Sequence, residues 1–126
     1  MKKSRTLSES FFYAISGIFY AVKTQRNIKI HFVAAALIIF FSFLLKLNNI
    51  ELLILALTIA LVLTAEMINT AIEIVVDMFT KEYHPLAKAA KNVAAGAVLI
   101  SALSAVIVGY LIFYDKIAIL LKILKR

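Results

Sequence analysis

Three long apolar segments constrain this chain more than any other feature of its sequence. Residues 30–46, 51–80 and 86–114 are rich in Ile, Leu, Val and Ala and contain no Pro. A helix that crosses the roughly 30 Å hydrocarbon core of a bilayer needs about 17–25 residues. Because the whole chain has one Pro and three Gly, little of it is left for loops. We therefore predict an all-α membrane protein with three transmembrane helices, TM1 to TM3 in chain order.

Composition excludes several classes of protein. Apolar residues make up 63% of the chain and charged residues 17%, whereas soluble domains average about 45–50% and about 25%. The chain has no Cys, which excludes disulfides and thiolate chemistry. Its formal charge of +7 favours anionic lipid headgroups or a phosphorylated ligand, and we expect no nucleic-acid partner. Residues 1–126 are predicted to form a single membrane domain.

The first 29 residues are predicted to form an amphipathic surface helix. Phe11, Ile15, Ile18 and Val22 are spaced 4, 3 and 4 apart, which places them on one helical face. The basic residues interleaved with such apolar positions are Lys2, Lys3, Arg5, Lys23, Arg26 and Lys29. A signal peptide is a poor fit, because this stretch lacks an uninterrupted apolar core and a small-residue cleavage site. The stretch is typical of a helix that lies on a membrane surface.

The distribution of basic residues predicts the orientation in the membrane. Six lie in the N-terminal segment, and three more, Lys81, Lys88 and Lys91, surround the second connection, whereas the first connection holds only Lys46. The positive-inside rule then places the N-terminus and the TM2–TM3 connection in the cytosol. Residues 115–126 are expected to form a basic tail lying as a short amphipathic segment on the outer surface. The basic residues of that tail are Lys116, Lys122, Lys125 and Arg126.

Four polar side chains share one face of the second predicted span. At 100° per residue from Glu66, Asn69 falls at about −60°, Glu73 at about −20° and Asp77 at about +20°. If Glu51 marks the outer boundary of the bilayer, Glu66 lies about 22 Å and Asp77 about 39 Å from it along the helix axis. Because the hydrocarbon core is roughly 30 Å thick, the stripe crosses the predicted cytosolic boundary. Ionisable groups inside a span indicate a functional site.

The residue types in this stripe favour phosphoryl transfer. Glu66 is deep enough to reach a lipid group, whereas Glu73 and Asp77 can reach a cation and a water-soluble ligand. Carboxylates suit Mg²⁺, which needs only one or two of them when substrate phosphates complete its shell. His84 and Lys91, with Lys88, lie just beyond and can neutralise phosphate charge. The chain has no P-loop, no Gly-rich kinase loop and no H-E-x-x-H zinc motif.

Other interpretations of the same residues stay open. The carboxylates could pair with Lys of a neighbouring subunit or line an ion path in a non-enzymatic oligomer. Asn69 could serve only as an interhelical hydrogen-bonding residue. His84 could be a solvated loop residue.

Residues 66–77 carry the pattern E-x-x-N-x-x-x-E-x-x-x-D, and residues 82–84 and 87–97 read E-Y-H and A-K-A-A-K-N-V-A-A-G-A. Together they resemble the small bacterial integral-membrane diacylglycerol kinase family, over about residues 6–114. The chain is most similar to the Gram-positive branch, whose members are chiefly undecaprenol kinases. The resemblance implies a surface helix, three spans, a bacterial cell membrane location and a homotrimer with active sites between subunits.

The resemblance also implies roles for individual residues. Glu66 would be the general base that takes the proton of the lipid hydroxyl, with Asn69 holding the site. Glu73 would bind the Mg²⁺ that ATP carries, and Gln25 stands at a second metal position. The nucleotide contacts it implies are Tyr13, Gln25, Glu73, Asp77, Glu82, His84, Lys91 and Asn92.

Two positions depart from the family pattern. Gln25 stands where the best-known members have Glu, and Asn92 stands where they have Asp, so each position loses a negative charge. Weaker metal binding follows at Gln25, since an amide oxygen is a poorer ligand for Mg²⁺ than a carboxylate. A pseudokinase is therefore an alternative to an active enzyme. For an active enzyme the resemblance favours undecaprenol as substrate over diacylglycerol, although each presents one primary hydroxyl.

Overall fold

The computed structural model describes residues 6–125 as four α-helices joined by short connections. They are α1 (Leu7–Thr24), α2 (Arg26–Leu44), α3 (Asn49–Phe79) and α4 (Pro85–Leu124). By length and composition α2, α3 and α4 are able to cross a membrane, which confirms the predicted all-α fold with three spans. The predicted basic residues Lys2, Lys3, Arg5 and Arg126 lie outside the described residues.

A single extended residue separates α1 from α2. Gln25 has φ −106° and ψ 120°, and it ends α1 and precedes α2. Ala21 and Ile28, on either side of this break, are among the most buried side chains, with exposed fractions of 2% and 0%. The break lets the chain turn while both remain packed. The boundary between α1 and α2 lies about four residues before the predicted one. Residues 24–27 contain no Gly or Pro, so no typical turn residue marked the boundary in the sequence.

Capping boxes fix the starts of α1 and α3. The hydroxyl of Thr6 accepts the Glu9 N–H, and the Glu9 carboxylate accepts the Thr6 N–H. Asn48 and Glu51 form the same reciprocal box at α3, with distances of 2.9 and 2.8 Å. Such boxes satisfy two backbone donors that a helix start leaves without partners. The connection between α2 and α3 is residues 45–48.

Helix α4 runs unbroken for 40 residues, about 60 Å. The separate amphipathic tail predicted from Asp115 onward does not form, and the helix continues past residue 114 to Leu124. No Gly or Pro follows Gly109, so nothing in the sequence stops the helix. In addition, the Lys116 ammonium lies 3.1 Å from the Glu51 carboxylate and holds this part of α4 beside the start of α3.

Helices α3 and α4 form an antiparallel pair that is the most extensive interface of the chain. Lys116 pairs with Glu51 at one end, and Lys91 pairs with Asp77 at the other. Ala94 on α4, within the small-residue stretch 93–97, is 6% exposed. Small side chains let helices approach closely where lipid gives no hydrophobic drive for association.

Large apolar side chains are exposed along all four helices. Examples are Phe12, Phe40, Leu57 and Val106, with exposed fractions between 62% and 69%. A soluble monomer rarely exposes contiguous apolar surface on this scale. The outer surface of the four helices is therefore suited to lipid or to further protein.

Candidate active site

The polar stripe of α3 passes from the protein interior to the surface along one helix face. Glu66 is 3% exposed, Asn69 and Glu73 are half-buried, and the Asp77 side chain is 58% exposed. The four residues share the face that the sequence predicts, and burial decreases toward the C-terminal end of α3. A deep carboxylate is thus continuous with an accessible one.

Glu66 has an ionisable neighbour on α2. The His31 Nε2 atom lies 3.2 Å from Glu66 Oε1, close enough for an ion pair when the imidazole is protonated. The two groups do not meet hydrogen-bond geometry, and Oε1 is a buried atom with no hydrogen-bond partner among the described residues. The two groups are therefore in contact at 3.2 Å without a formed hydrogen bond.

Asn69 joins the middle of the stripe. Its Nδ2 donates to Glu73 Oε1 at 3.2 Å, one helical turn away. Its Oδ1 is buried and has no partner in the described part of the chain. A buried acceptor left without a donor costs about 1–3 kcal/mol, and such groups are concentrated where a ligand or a reacting group completes them.

A pocket of about 240 Å³ opens where α3 ends and α4 begins. Five residues predicted to contact nucleotide line it, namely Asp77, Glu82, His84, Lys91 and Asn92. Lys81 and Lys88 also line it, so three ammonium groups face one small volume. This concentration of positive charge suits a polyphosphate.

Local contacts hold the walls of this pocket in place. The Lys91 ammonium donates to Asp77 Oδ1 and links α4 to the end of α3. His84 is the N-cap of α4, and its Nδ1 accepts the Leu86 N–H at 3.2 Å. The Lys88 ammonium lies 6.0 Å from the centre of the Tyr83 ring, at the outer limit of a cation–π contact. The Nδ1 atom of His84 is therefore occupied by the helix cap, and Nε2 is the ring nitrogen available to a ligand.

The two predicted nucleotide residues at the N-terminal side lie elsewhere in the single chain. Tyr13 is on α1, with its ring edge-on to Phe12 at 5.7 Å, and Gln25 is the half-buried residue between α1 and α2. Neither lines the pocket beside Asp77. One chain thus brings five of the predicted nucleotide residues together at the pocket. Glu73 lies one turn before Asp77 on α3.

The oxygen atoms of the stripe suit Mg²⁺ that arrives with a nucleotide. Across residues 6–125, no three His, Asp or Glu side chains converge as a complete metal-ligand group. Mg²⁺ bound with a nucleotide does not need one, because phosphates and water fill most of its shell. Asp77 in the pocket wall and Glu73, one turn before it on α3, carry hard oxygen ligands of the kind that Mg²⁺ takes.

Sequence reasoning missed the role of one residue at this site. His31 is the only ionisable side chain in residues 30–45, and it is the one that meets Glu66. A single ionisable residue in an otherwise apolar span indicates a functional position, and this feature could have identified His31 from the sequence. Its partner could not be found from spacing, since the two residues lie on different helices.

The fold and the site together define a small helical protein with three candidate membrane spans, in which a stripe of carboxylates leads to a pocket lined by Lys81, Lys88 and Lys91. Residues 12–113 match the prokaryotic diacylglycerol kinase family, and the chain belongs to that family. The predicted family and lipid kinase class are thereby confirmed.

Curated relatives bear two different names. The undecaprenol kinase of Bacillus subtilis is 44% identical over 109 residues, which cover 86% of this chain and 89% of the relative. The diacylglycerol kinase of Synechocystis is 50% identical over 101 residues, covering 79% of this chain and 58% of the relative. The diacylglycerol kinase of Escherichia coli K12 is 39% identical over 75 residues, covering 60% and 62%.

Proposed function

We propose that this protein transfers the γ-phosphate of ATP to the hydroxyl of undecaprenol. The observation that carries the proposal is the carboxylate stripe from buried Glu66 to the Lys-lined pocket at Asp77. It joins a place for a lipid hydroxyl to a place for a polyphosphate on one helix face. The Bacillus undecaprenol kinase, which aligns over most of both chains, supports the choice of lipid.

Glu66 acts as the general base in the proposed reaction. Its carboxylate takes the proton of the lipid hydroxyl while the hydroxyl oxygen attacks the γ-phosphorus. The new P–O bond forms in line as the bond to the β–γ bridging oxygen breaks, and ADP leaves. Asn69 holds the site by fixing Glu73 through the hydrogen bond from Nδ2. Alignment of the two reactants supplies much of the rate enhancement.

Glu73 would hold the Mg²⁺ that ATP carries, and the Gln25 amide oxygen would be its second protein ligand. When bound, Mg²⁺ neutralises phosphate charge. Nucleotide contacts come from Asp77, Glu82, His84, Lys91 and Asn92 around the pocket and from Tyr13 and Gln25. The Lys91 ammonium, already oriented by Asp77, offsets charge on the transferred phosphoryl group.

The proposed assembly is a homotrimer with active sites shared between subunits. Two features support it: large apolar side chains are exposed along α2, α3 and α4, and Tyr13 and Gln25 do not line the pocket of their own chain. The proposed location is the bacterial cell membrane, with the N-terminus and the α3–α4 connection in the cytosol, as the basic residues favour.

A lipid panel tests the proposed function. The purified full chain is assayed in mixed micelles with [γ-³²P]ATP and undecaprenol, diacylglycerol or no lipid. We expect phosphorylated undecaprenol as the main product, and on the order of 10²-fold or greater loss of turnover in both Glu66→Gln and Glu73→Gln. Unchanged turnover in both variants would contradict the assigned roles, and no turnover with any lipid would favour a pseudokinase or a non-enzymatic oligomer.

Diacylglycerol is a second candidate substrate. The diacylglycerol kinase of Synechocystis has a higher identity to this chain within the aligned region than the Bacillus undecaprenol kinase, 50% against 44%. Diacylglycerol also presents one primary hydroxyl at the membrane surface, so the same chemistry applies. A higher kcat/KM for diacylglycerol than for undecaprenol in the panel would select this alternative.

A further inference from the structure

His31 is an imidazole inside an apolar span, and its surroundings give it one ionic partner in the described chain. It borders a cavity of about 90 Å³ between α2, α3 and α4. Apart from Thr58, whose hydroxyl donates to the Ile54 carbonyl oxygen, the rest of that lining is Ala, Ile, Leu, Val and Gly. The ring's charged neighbour is Glu66, 3.2 Å away.

The hydrogen-bond requirements of Glu66 are complementary to this imidazole. Its Oε1 is buried without a hydrogen-bond donor, and water has no access to it. His31 Nε2 is a donor both in the neutral Nε2–H tautomer and in the protonated ring. The adjacent cavity leaves space for the small rotation that would align this donor with Oε1.

We propose that His31 is a positioning residue for the phosphoryl transfer, holding Glu66 Oε1 so that Oε2 accepts the proton of the lipid hydroxyl. The inference rests on the proposed role of Glu66 as general base. A carboxylate held at one oxygen has a fixed plane, and this reduces the reorganisation needed when the alcohol arrives. His31 neither contacts the phosphate nor exchanges a proton with the lipid.

The arrangement also accounts for where the proton goes. The hydroxyl proton moves to Glu66 Oε2 as the lipid oxygen bonds to the γ-phosphorus, and the protonated carboxyl keeps its Oε1 bond to His31. After ADP leaves, Glu66 returns that proton to solvent. His31 keeps the same set of protons throughout the cycle.

The test is kinetic and compares three substitutions on α2 in the full chain. His31→Leu removes the donor, whereas His31→Gln supplies an amide N–H at a similar reach. Val33→Leu, two residues away and 61% exposed, is the matched control. We expect His31→Leu to lower kcat about 10- to 100-fold with the KM for MgATP within about twofold, and His31→Gln to recover most of that loss.

Outcomes for this proposal and for the base assignment are distinguishable. If Glu66→Gln is inactive while both His31 variants retain wild-type kcat, the positioning role is wrong and the proposed function stands. If Glu66→Gln is active, the base assignment itself fails. A His31→Leu loss that Gln does not recover, accompanied by a matching loss of MgATP binding, would show a merely structural contact and overturn the proposal.

A spectroscopic measurement remains informative even where a variant folds poorly. The chain has two histidines, so an untagged sample labelled with ¹⁵N-His gives two imidazole spin systems. Glu66→Gln should move the His31 Nε2 resonance and leave that of His84 in place. Unchanged imidazole resonances for His31 would contradict the contact on which the proposal depends.

Discussion

The Lys116 ammonium lies 3.1 Å from Glu51 Oε2, at the end of the α3–α4 pair opposite to Asp77 and Lys91. The same Glu51 oxygen accepts the backbone N–H of Asn48 at 2.8 Å. One carboxylate therefore both caps α3 and anchors α4. Substitution of Lys116 removes only the ion pair, whereas substitution of Glu51 removes the ion pair and the cap, so the two contributions to stability can be separated.

Removing Lys116 should cost less stability than removing Glu51. Lys116→Met deletes one partly exposed ion pair, worth less than about 1 kcal/mol. Glu51→Ala deletes the pair and half of the capping box, for a further loss of about 1 kcal/mol. Thermal unfolding in detergent, followed by circular dichroism, measures both. Equal losses would show that the cap contributes nothing.

Lys91 should matter more for ATP than for the stability of the helix pair, because its ion pair with Asp77 is partly exposed to solvent. Lys91→Met is expected to reduce kcat/KM for MgATP on the order of 10²-fold, because an ammonium facing the phosphates is lost. Lys91→Arg keeps the charge, and its kcat/KM for MgATP should lie between the values of the wild type and Lys91→Met. Lys125→Met removes one basic charge at the far end of α4 and serves as the control. Similar rates for Lys91→Met and Lys125→Met would argue against phosphate contact.

Restoring a carboxylate at residue 25 should tighten metal binding. Gln25→Glu is expected to lower the Mg²⁺ concentration for half-maximal turnover about 3- to 10-fold, since Mg²⁺ prefers a charged oxygen ligand. Asn27→Asp adds the same charge two residues away on the surface of α2. A titration of activity with Mg²⁺ compares them, and an equal shift in both variants would reveal only a general charge effect.

Close packing beside the α1–α2 break should make Ala21 sensitive to size, since this residue is 2% exposed. Ala21→Leu is expected to destabilise the protein by about 1–3 kcal/mol, because three extra carbons must be placed at a buried position. Ala14→Leu makes the same change at an exposed position on α1 and should have little effect. Denaturation in mixed micelles gives the difference, and a tolerated Ala21→Leu would mean that the packing around Ala21 is loose.

Much of the fold and part of the site could be predicted from periodicity. Three apolar segments predict α2, α3 and α4, and the 100° rotation per residue places Glu66, Asn69, Glu73 and Asp77 together on one face. Both follow from local helical geometry. The cluster at the α3–α4 connection also follows, since its residues are near in sequence.

Features that depend on tertiary packing could not be predicted in this way. The His31–Glu66 contact joins two helices through their relative rotation, which the sequence does not encode locally. The α1–α2 break at Gln25 follows from burying Ala21 and Ile28 together, with no Gly or Pro to mark it. The charges of Lys116 and Lys122 favoured a surface tail, although both are compatible with a continuing helix.

The spacing of the two ion pairs suggests a dependence of the proposed activity on bilayer thickness. Lys91 and Lys116 are about 38 Å apart along α4, more than the roughly 30 Å hydrocarbon core and less than the 40–45 Å between headgroup layers. In the proposed membrane placement each pair would lie in one of the two headgroup regions, and this would set the depth of Glu66. A thicker or thinner membrane would shift that carboxylate relative to the lipid hydroxyl, so turnover should peak at one acyl-chain length.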